Sequence, residues 1–371
     1  MGASAMSTPA GYDVVIVGGG PAGCAAAIAA RRQRLAVLLV EPRAPVASPG
    51  CAGWLGPAAV RLCGECGVDA QSAGAATFTG LRLWTWDLAT KVAIDDPELT
   101  GWVVSAPALG QALLAAARVA GAEVRTAAVV HVQLGETNAT LRLSDGEQVS
   151  GQVVLIAAGA ASPTARLANL AGAPPDGSAG RAARVCGRLA TDGVGLDVII
   201  GAGRALRVAT VARRGREVCL TLVTHESASP AEAQLAALLA TVRAAGAWPI
   251  AEADVPEAVP CLAGAALELD SHVGKRCLLV GDAGGFSAAF SNEGIYPALR
   301  SGWLAAEAVA RAVRAPVLQD ELGSFSAAWR ADLADYLRMP NTDLGLLLPM
   351  VFNNAQMSRR VGRAFLLGQA F

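Results

Sequence analysis

The stretch "DVVIVGGGPAGCAAAIAARR", residues 13–32, decides the fold. Asp13 to Val17 is a short β-branched run, suited to a buried parallel strand. Gly18, Gly20 and Gly23 then spell G-x-G-x-x-G, with Pro21 and Ala22 between the last two, and an Ala-rich helical stretch follows to about Arg34. A second strand, Ala36 to Val40, ends at Glu41. Each residue type has a mechanical role. Gly18 permits the tight turn, Gly20 clears the space where backbone N–H groups approach a pyrophosphate, and Gly23 lets the helix pack close to the sheet. The helix N-terminus suits a diphosphate, and Glu41 is spaced to accept from ribose hydroxyls. Strand, turn, helix, strand and acid together specify a dinucleotide site.

The rest of the chain says which kind. A helical segment spans Pro107 to Ala120, and "AEVRTAAVVHVQL", "ATLRLSDG" and "EQVSGQVVLIAAG" (residues 122–159) read as a β-meander. Near the end, "CLLVGDAGGFSAAFSNEGIYPALRSG", residues 277–302, places a second Gly-rich strand-to-helix passage around a single acid, Asp282. No second complete fingerprint is present. "VIIGAGRAL", residues 198–206, has Leu206 where a third Gly would stand and reads as a hairpin turn.

Composition narrows the partners. The 371 residues carry 30 basic and 31 acidic side chains, so no long-range field draws nucleic acid. The eight cysteines are scattered, as in a cytoplasmic protein with reduced thiols. Cys63 and Cys66 form one CxxC with no second pair to complete a zinc site, and no metal is expected. The leading "MGASAMSTPAGYD" lacks the pattern of a secretory signal. The mean hydropathy of +0.41 is high, and the apolar C-terminal stretch from Asp343 suggests peripheral membrane contact at most.

The layout resembles the FAD-dependent family that includes p-hydroxybenzoate hydroxylase and the geranylgeranyl reductases, over most of residues 11–315. The closer likeness is to the reductases, in Gly281-Asp282-Ala283 and Glu293-Gly294-Ile295 and in the Cys51-Ala52-Gly53 turn. Ala289 stands where that branch has Pro, and Asn292 where it has Gly. The resemblance implies an α/β protein with a Rossmann-like FAD/NAD(P)-binding fold of the glutathione reductase type and an inserted antiparallel β-sheet substrate domain. The expected boundaries are 11–50, 101–175 and 264–320 for a discontinuous FAD domain, 51–100 and 176–263 for the substrate domain, and 321–371 for a C-terminal helical segment.

The same resemblance assigns FAD contacts to Gly18, Gly20, Pro21, Ala22, Gly23, Glu41, Arg43, Ala52, Val130, Ala158, Gly159, Asp282, Gly294 and Ile295. Asp282 would meet the ribityl chain, and the backbone at Gly294-Ile295 the pyrimidine edge of the flavin. Cys51, with Trp54, would lie near the isoalloxazine, which makes Cys51 the candidate catalytic residue. Two family features are missing: Ala106 replaces an Arg, and Ala157-Ala158-Gly159 lacks an acid. These losses argue against an NAD(P)H-driven aromatic hydroxylase. The expected activity is reduction of a C=C bond in a small apolar, isoprenoid-like substrate, with electrons from transient NAD(P)H or another donor. The alternatives are a monooxygenase, or halogenase-like enzyme, using a flavin C4a-hydroperoxide, and a flavoprotein that binds a ligand without turnover. Trp84 and Trp86 invite the halogenase comparison, but Asp87-Leu88 follow where Ile-Pro is needed.

Overall fold

The computed structural model describes residues 11–42, 53–160, 162–170, 181–202, 206–224, 229–259, 261–341 and 344–369. The chain opens with β1 (Gly11–Val17), α1 (Pro21–Arg32), β2 (Val37–Val40), β3 (Trp54–Leu55) and α2 (Pro57–Glu65). Next come β4 (Ala76–Thr79), β5 (Leu81–Thr85), β6 (Lys91–Ile94), β7 (Thr100–Val103) and α3 (Ala106–Val119). The meander follows as β8 (Glu123–Arg125), β9 (Val129–Leu134), β10 (Ala139–Leu143) and β11 (Gln148–Ile156), then α4 (Thr164–Leu167). A long hairpin, β12 (Arg181–Ala202) and β13 (Leu206–Thr224), precedes α5 (Ala231–Ala245), β14 (Ile250–Ala253) and β15 (Glu257–Val259). The chain then runs through β16 (Val273–Gly274), β17 (Cys277–Leu279), α6 (Ile295–Ala312), α7 (Leu318–Leu337), α8 (Leu344–Asn353) and α9 (Ala355–Leu367).

The first sheet has the strand order β17-β11-β1-β2-β8, all parallel, with β16 antiparallel at one edge. Both faces are covered, so the strands are continuous apolar runs rather than alternating ones. On one face Val14, Ile16, Leu39, Val153 and Leu155 pack under α1, α3 and α6. On the other, Val15, Val17, Leu38, Val154 and Ile156 pack under β9 and β10. This is the Rossmann-like FAD/NAD(P)-binding arrangement, with the meander as its third layer. β11 serves both as last strand of the meander and as central strand of the sheet.

The second sheet holds β13-β12-β5-β6, with β14 and β15 also paired to β12. The sequence divided 205–225 into two strands, but the structure runs β13 unbroken from Leu206 to Thr224, and β12 and β13 pair antiparallel out to Ala202 opposite Leu206. Its centre is Asp197, wholly buried in the apolar last third of β12. Arg82 grips that carboxylate through Nε at 2.6 Å and Nη2 at 2.9 Å, and Arg213 Nε donates at 3.1 Å. The indole N–H groups of Trp84 and Trp248 donate at 2.9 and 3.2 Å. Trp84 is therefore a structural side chain, while Trp86 lies beneath the Arg207 guanidinium, 4.3 Å from its ring centre.

Two segments pack differently from the boundaries read in the sequence. Ala59, Leu62, Cys63, Cys66 and Val68, assigned to the substrate domain, sit in the core of the nucleotide sheet beside α6. α2 is amphipathic, and its apolar face packs on α6. Cys63 and Cys66 are both buried there, and burial raises each thiol to about 12, which makes them packing residues. In the C-terminal segment, α7 joins the nucleotide core through Phe325, Trp329 and Leu333. α9 instead packs with Ile94 and Val198 of the second sheet and with Leu99, and Phe365 stacks on Trp54 at 5.5 Å. Among the described residues no helix is long and apolar enough to cross a membrane.

Replacing Asp197 by Ala would strand two guanidinium groups and two indole N–H groups without their acceptor. Asp197→Ala should destabilise the chain by about 3–5 kcal/mol, read from chemical denaturation. A change below about 1 kcal/mol would show that solvent takes over the acceptor role.

Candidate functional site

The two Gly-rich passages meet. Gly18 takes φ +107°, and a Cβ there would lie 2.3 Å from the Ala157 carbonyl oxygen, so the first turn is pressed against the end of β11. Gly23 is equally constrained, since a Cβ would fall 1.8 Å from the Gly18 carbonyl oxygen. Gly20 is the opposite case: a Cβ there meets no described atom within 4 Å. The same holds at Gly159, just past Ala158. Gly20 and Gly159 thus border open space at the head of the sheet, next to the N-terminus of α1, where Pro21 is the first helical residue.

The late passage arrives on the other side of α1. A Cβ on Gly281 would lie 2.7 Å from the Ala22 methyl, and one on Gly302 only 2.1 Å from the Ala22 carbonyl oxygen. The Gly281 N–H donates to Ser301 Oγ at 3.0 Å, tying the Gly281–Gly284 3-10 turn to α6. His272 braces the turn from behind. Its Nε2 is 2.8 Å from the Gly284 carbonyl oxygen, and its ring lies between Phe286 and Trp329. Burial lowers its pKa to about 4, so the ring is neutral and Nε2–H donates. His272 is therefore a core bracing residue, although its Nδ1 has no partner among the described residues.

Asp282 is held differently from every other acid nearby. Its carboxylate lies about 3.6 Å from where a Cβ would stand on Gly294, the N-cap of α6. Among the described residues its carboxylate accepts no hydrogen bond, and burial alone raises its pKa from 3.8 to about 6. Carboxylates stripped of water normally gain donors. This one has none, so a ligand that brings hydroxyl donors to it would supply what the fold does not.

Glu293, which the sequence showed only as part of a motif, is the other acid at this helix end. Its Oε1 accepts the Tyr296 N–H at 2.9 Å and its Oε2 the Tyr336 O–H at 3.1 Å, while burial raises its pKa to about 7. The helix N-terminus expected to face a ligand through Gly294 and Ile295 thus already has an internal carboxylate on one of its donors. Nothing in the sequence marked Tyr336, which comes from α7.

Glu41 is buried, and its Oε2 accepts the Gly19 N–H at 2.7 Å, so it holds the first turn in shape. Val130 is exposed on the outer meander strand, shortly after Arg125, whose carbonyl accepts the Glu41 N–H. Arg43, Cys51 and Ala52 lie outside the described residues. Trp54 departs from expectation: its indole is buried against Phe365 and is a core contact. Ala106 does open α3, with Ser105 Oγ accepting the Ala108 N–H, so the missing Arg is missing at a true helix start.

In sequence, residues 12–244 match the family described as pyridine nucleotide-disulphide oxidoreductase. No curated protein matches the chain. Among solved structures, the fold is similar to that of the flavin-dependent brominase Bmp2, with TM-score 0.72, 18% identity, and 97% of this chain and 94% of that chain covered. It is also similar to a geranylgeranyl bacteriochlorophyll reductase-like protein from Thermoplasma acidophilum, with TM-score 0.73, 18% identity, and coverage of 97% and 92%. A third is PqsL from Pseudomonas aeruginosa, described as a probable FAD-dependent monooxygenase, with TM-score 0.66, 18% identity, and coverage of 95% and 99%. At such identities the likeness establishes the fold.

Two substitutions separate the roles of the glycines. Gly20→Val should fold and lose FAD retention, because its side chain enters the space meant for phosphate. Gly23→Val should fail to fold normally, because its Cβ meets backbone. Far-UV circular dichroism and bound-flavin absorbance read both, and a yellow, folded Gly20→Val protein would place the pyrophosphate elsewhere.

Asp282 gives a pH test. A hydroxyl donating to its carboxylate favours the charged form, so ligand binding must release its proton below about pH 6. FAD affinity should be level above that pH and fall on acidification through it, while Asp282→Asn should show no such fall. At neutral pH that variant should bind more weakly by about 1–3 kcal/mol. Without ligand the sign reverses. The unfolded chain ionises Asp282 more readily, so the fold loses stability as pH rises from about 4 to 6.

Proposed function

The chain belongs to the pyridine nucleotide-disulphide oxidoreductase family, and on that premise we propose that it is an FAD-dependent oxidoreductase that reduces a C=C bond of a small apolar, isoprenoid-like substrate. The flavin part of this reading rests on one observation above all: a carboxylate without donors at Asp282, beside a helix N-terminus and against the first Gly-rich turn. In this reading the Gly18–Gly23 turn and α1 hold the diphosphate, Glu41 the adenosine ribose, and Asp282 the ribityl hydroxyls. When bound, FAD supplies the two-electron chemistry.

The substrate class is supported by what adjoins this end of the site. β15 leads from the second sheet through Cys261 to Ala263, which bridges to Ser287. Its neighbours Ala182, Val223 and Val259 form a small apolar cluster with Cys261 and Ala263. Cys261 Sγ lies 3.8 Å from Asn292 Oδ1, so the cluster reaches the turn that starts α6. An apolar cluster at this turn favours an apolar neighbour over a charged one. The proton that completes the reduction is assigned to Cys51 or to water reaching its loop. Ala106 and Ala158, where the related hydroxylases carry Arg and Asp, weigh against the oxygenase alternative. Electrons come from a transient donor, NAD(P)H or another carrier.

Photoreduction under anaerobic conditions, followed by rapid mixing, tests the proposal. Reoxidation of the flavin by a polyprenyl alkene without oxygen is the expected result. Oxygen-dependent oxidation of the same compound, or halide-dependent product, would replace the proposal by the monooxygenase or halogenase reading. If reduced flavin ignored every alkene and reacted with oxygen only to give peroxide, a non-catalytic ligand-binding role would be favoured.

A further inference from the structure

Two cysteines outside the flavin cradle face each other across the long hairpin. Cys186 of β12 and Cys219 of β13 are direct partners in the antiparallel register, and their sulfur atoms lie 3.5 Å apart. Directly opposed residues project from the same face of a sheet, with Cβ atoms about 4.5–5.5 Å apart, and a disulfide asks for about 3.5–4.5 Å. A closer approach of the two strands by up to about 1 Å, with rotation of both side chains, therefore joins them.

Their surroundings differ from those of the other described cysteines. The adjacent residues Val185, Val218 and Leu220 point to the opposite face, into the cluster that contains Leu235 and Leu238 of α5. Cys186 is exposed and Cys219 half-buried, whereas Cys24, Cys63, Cys66, Cys261 and Cys277 are all buried. The Cys219 hydrogen bond and the Arg184 guanidinium draw the Cys186 thiol below its ordinary value. The Cys186 pairing and burial push Cys219 up. One thiol is thus a ready nucleophile, and the other is held beside it in reserve. The buried cysteines are all raised by burial, which leaves them unreactive.

We propose that Cys186 and Cys219 form a reversible dithiol–disulfide site that reacts with low-molecular-weight disulfides of the glutathione class. The Cys186 thiolate attacks one sulfur of glutathione disulfide, breaking its S–S bond and releasing one glutathione thiolate. Cys219 then gives its proton to solvent and attacks the Cys186 sulfur, displacing the second glutathione thiolate. The two cysteines lose two electrons in forming one S–S bond, and the glutathione disulfide gains them as two thiols. The site needs no flavin and stands apart from the proposed activity. Cys219 Cβ lies 3.5 Å from where a side chain would stand on Gly53, so the pair also touches the segment that enters β3.

The test uses the full chain, reduced and then exposed to glutathione disulfide, with peptide mapping by mass spectrometry. The wild type should yield a peptide pair joined through Cys186 and Cys219. Cys219→Ser should stop at a glutathione adduct on Cys186, and Cys186→Ser should leave Cys219 unmodified and slow total exchange at least about tenfold. The same result in a Cys51→Ser background excludes that residue as the second sulfur. A wild type that keeps glutathione on Cys186, joins a different pair, or does not react while native circular dichroism is preserved would overturn the proposal.

Discussion

Everything at the site depends on backbone meeting backbone at Ala22. Gly302 of α6 approaches the Ala22 carbonyl so closely that a Cβ would lie 2.1 Å from its oxygen, and Gly281 comes against the Ala22 methyl. Such an approach is open only to helices made of small residues, and α1 supplies Ala25, Ala26, Ala27, Ala29 and Ala30, all buried. The apolar gain per residue is modest, but α1 is covered on nearly every side by sheet, α3 and α6. The contact fixes the distance between two turns that the sequence sets far apart. A larger residue at 281 or 302 would part them and move the Asp282 turn away from the start of α1.

The parts legible in the sequence are those that impose a local demand. A positive φ at Gly18, a helix start at Pro21 and an apolar run at Val14–Val17 each leave a mark within a few residues. The late turn was legible for the same reason, through Gly281 and Gly285, both at positive φ. What the sequence hid is set by partners from distant segments. The amphipathic pattern of α2 shows that it must pack, but not that α6 is the surface it meets. α9 likewise carries a buried stripe, and only the folded chain shows that Trp54 and the second sheet receive it.

Asp197 shows the limit most clearly. In "GLDVII" a single acid interrupts an apolar strand, which signals an unusual buried carboxylate. Its partners Arg82, Trp84, Arg213 and Trp248 come from three separate segments, and no spacing links them. A buried ion pair adds little net stability over apolar packing, yet it tolerates few alternatives once made. Here it locks β5, β12 and β13 and the segment after α5 in one register. A register shift between Arg188 and Gly193 separates this stretch from the one in which Cys186 stands opposite Cys219.

The two acids at the start of α6 divide the work between them. Both are raised by burial, Asp282 to about 6 and Glu293 to about 7, but only Glu293 has donors within the fold. Glu293 therefore acts on the helix end itself. When ionised it neutralises part of the positive field that the first N–H groups create, and when protonated it does not. Its proton is exchanged near neutral pH, so the helix end favours a negative charge brought to it more strongly as pH falls through about 7. Asp282 works in the other direction, because it must be ionised to attract hydroxyl donors fully. Between about pH 6 and 7 one acid is charged and the other is taking up its proton. In that interval the site combines a carboxylate free to accept with a helix terminus free to attract, which a single acid at either position would not provide.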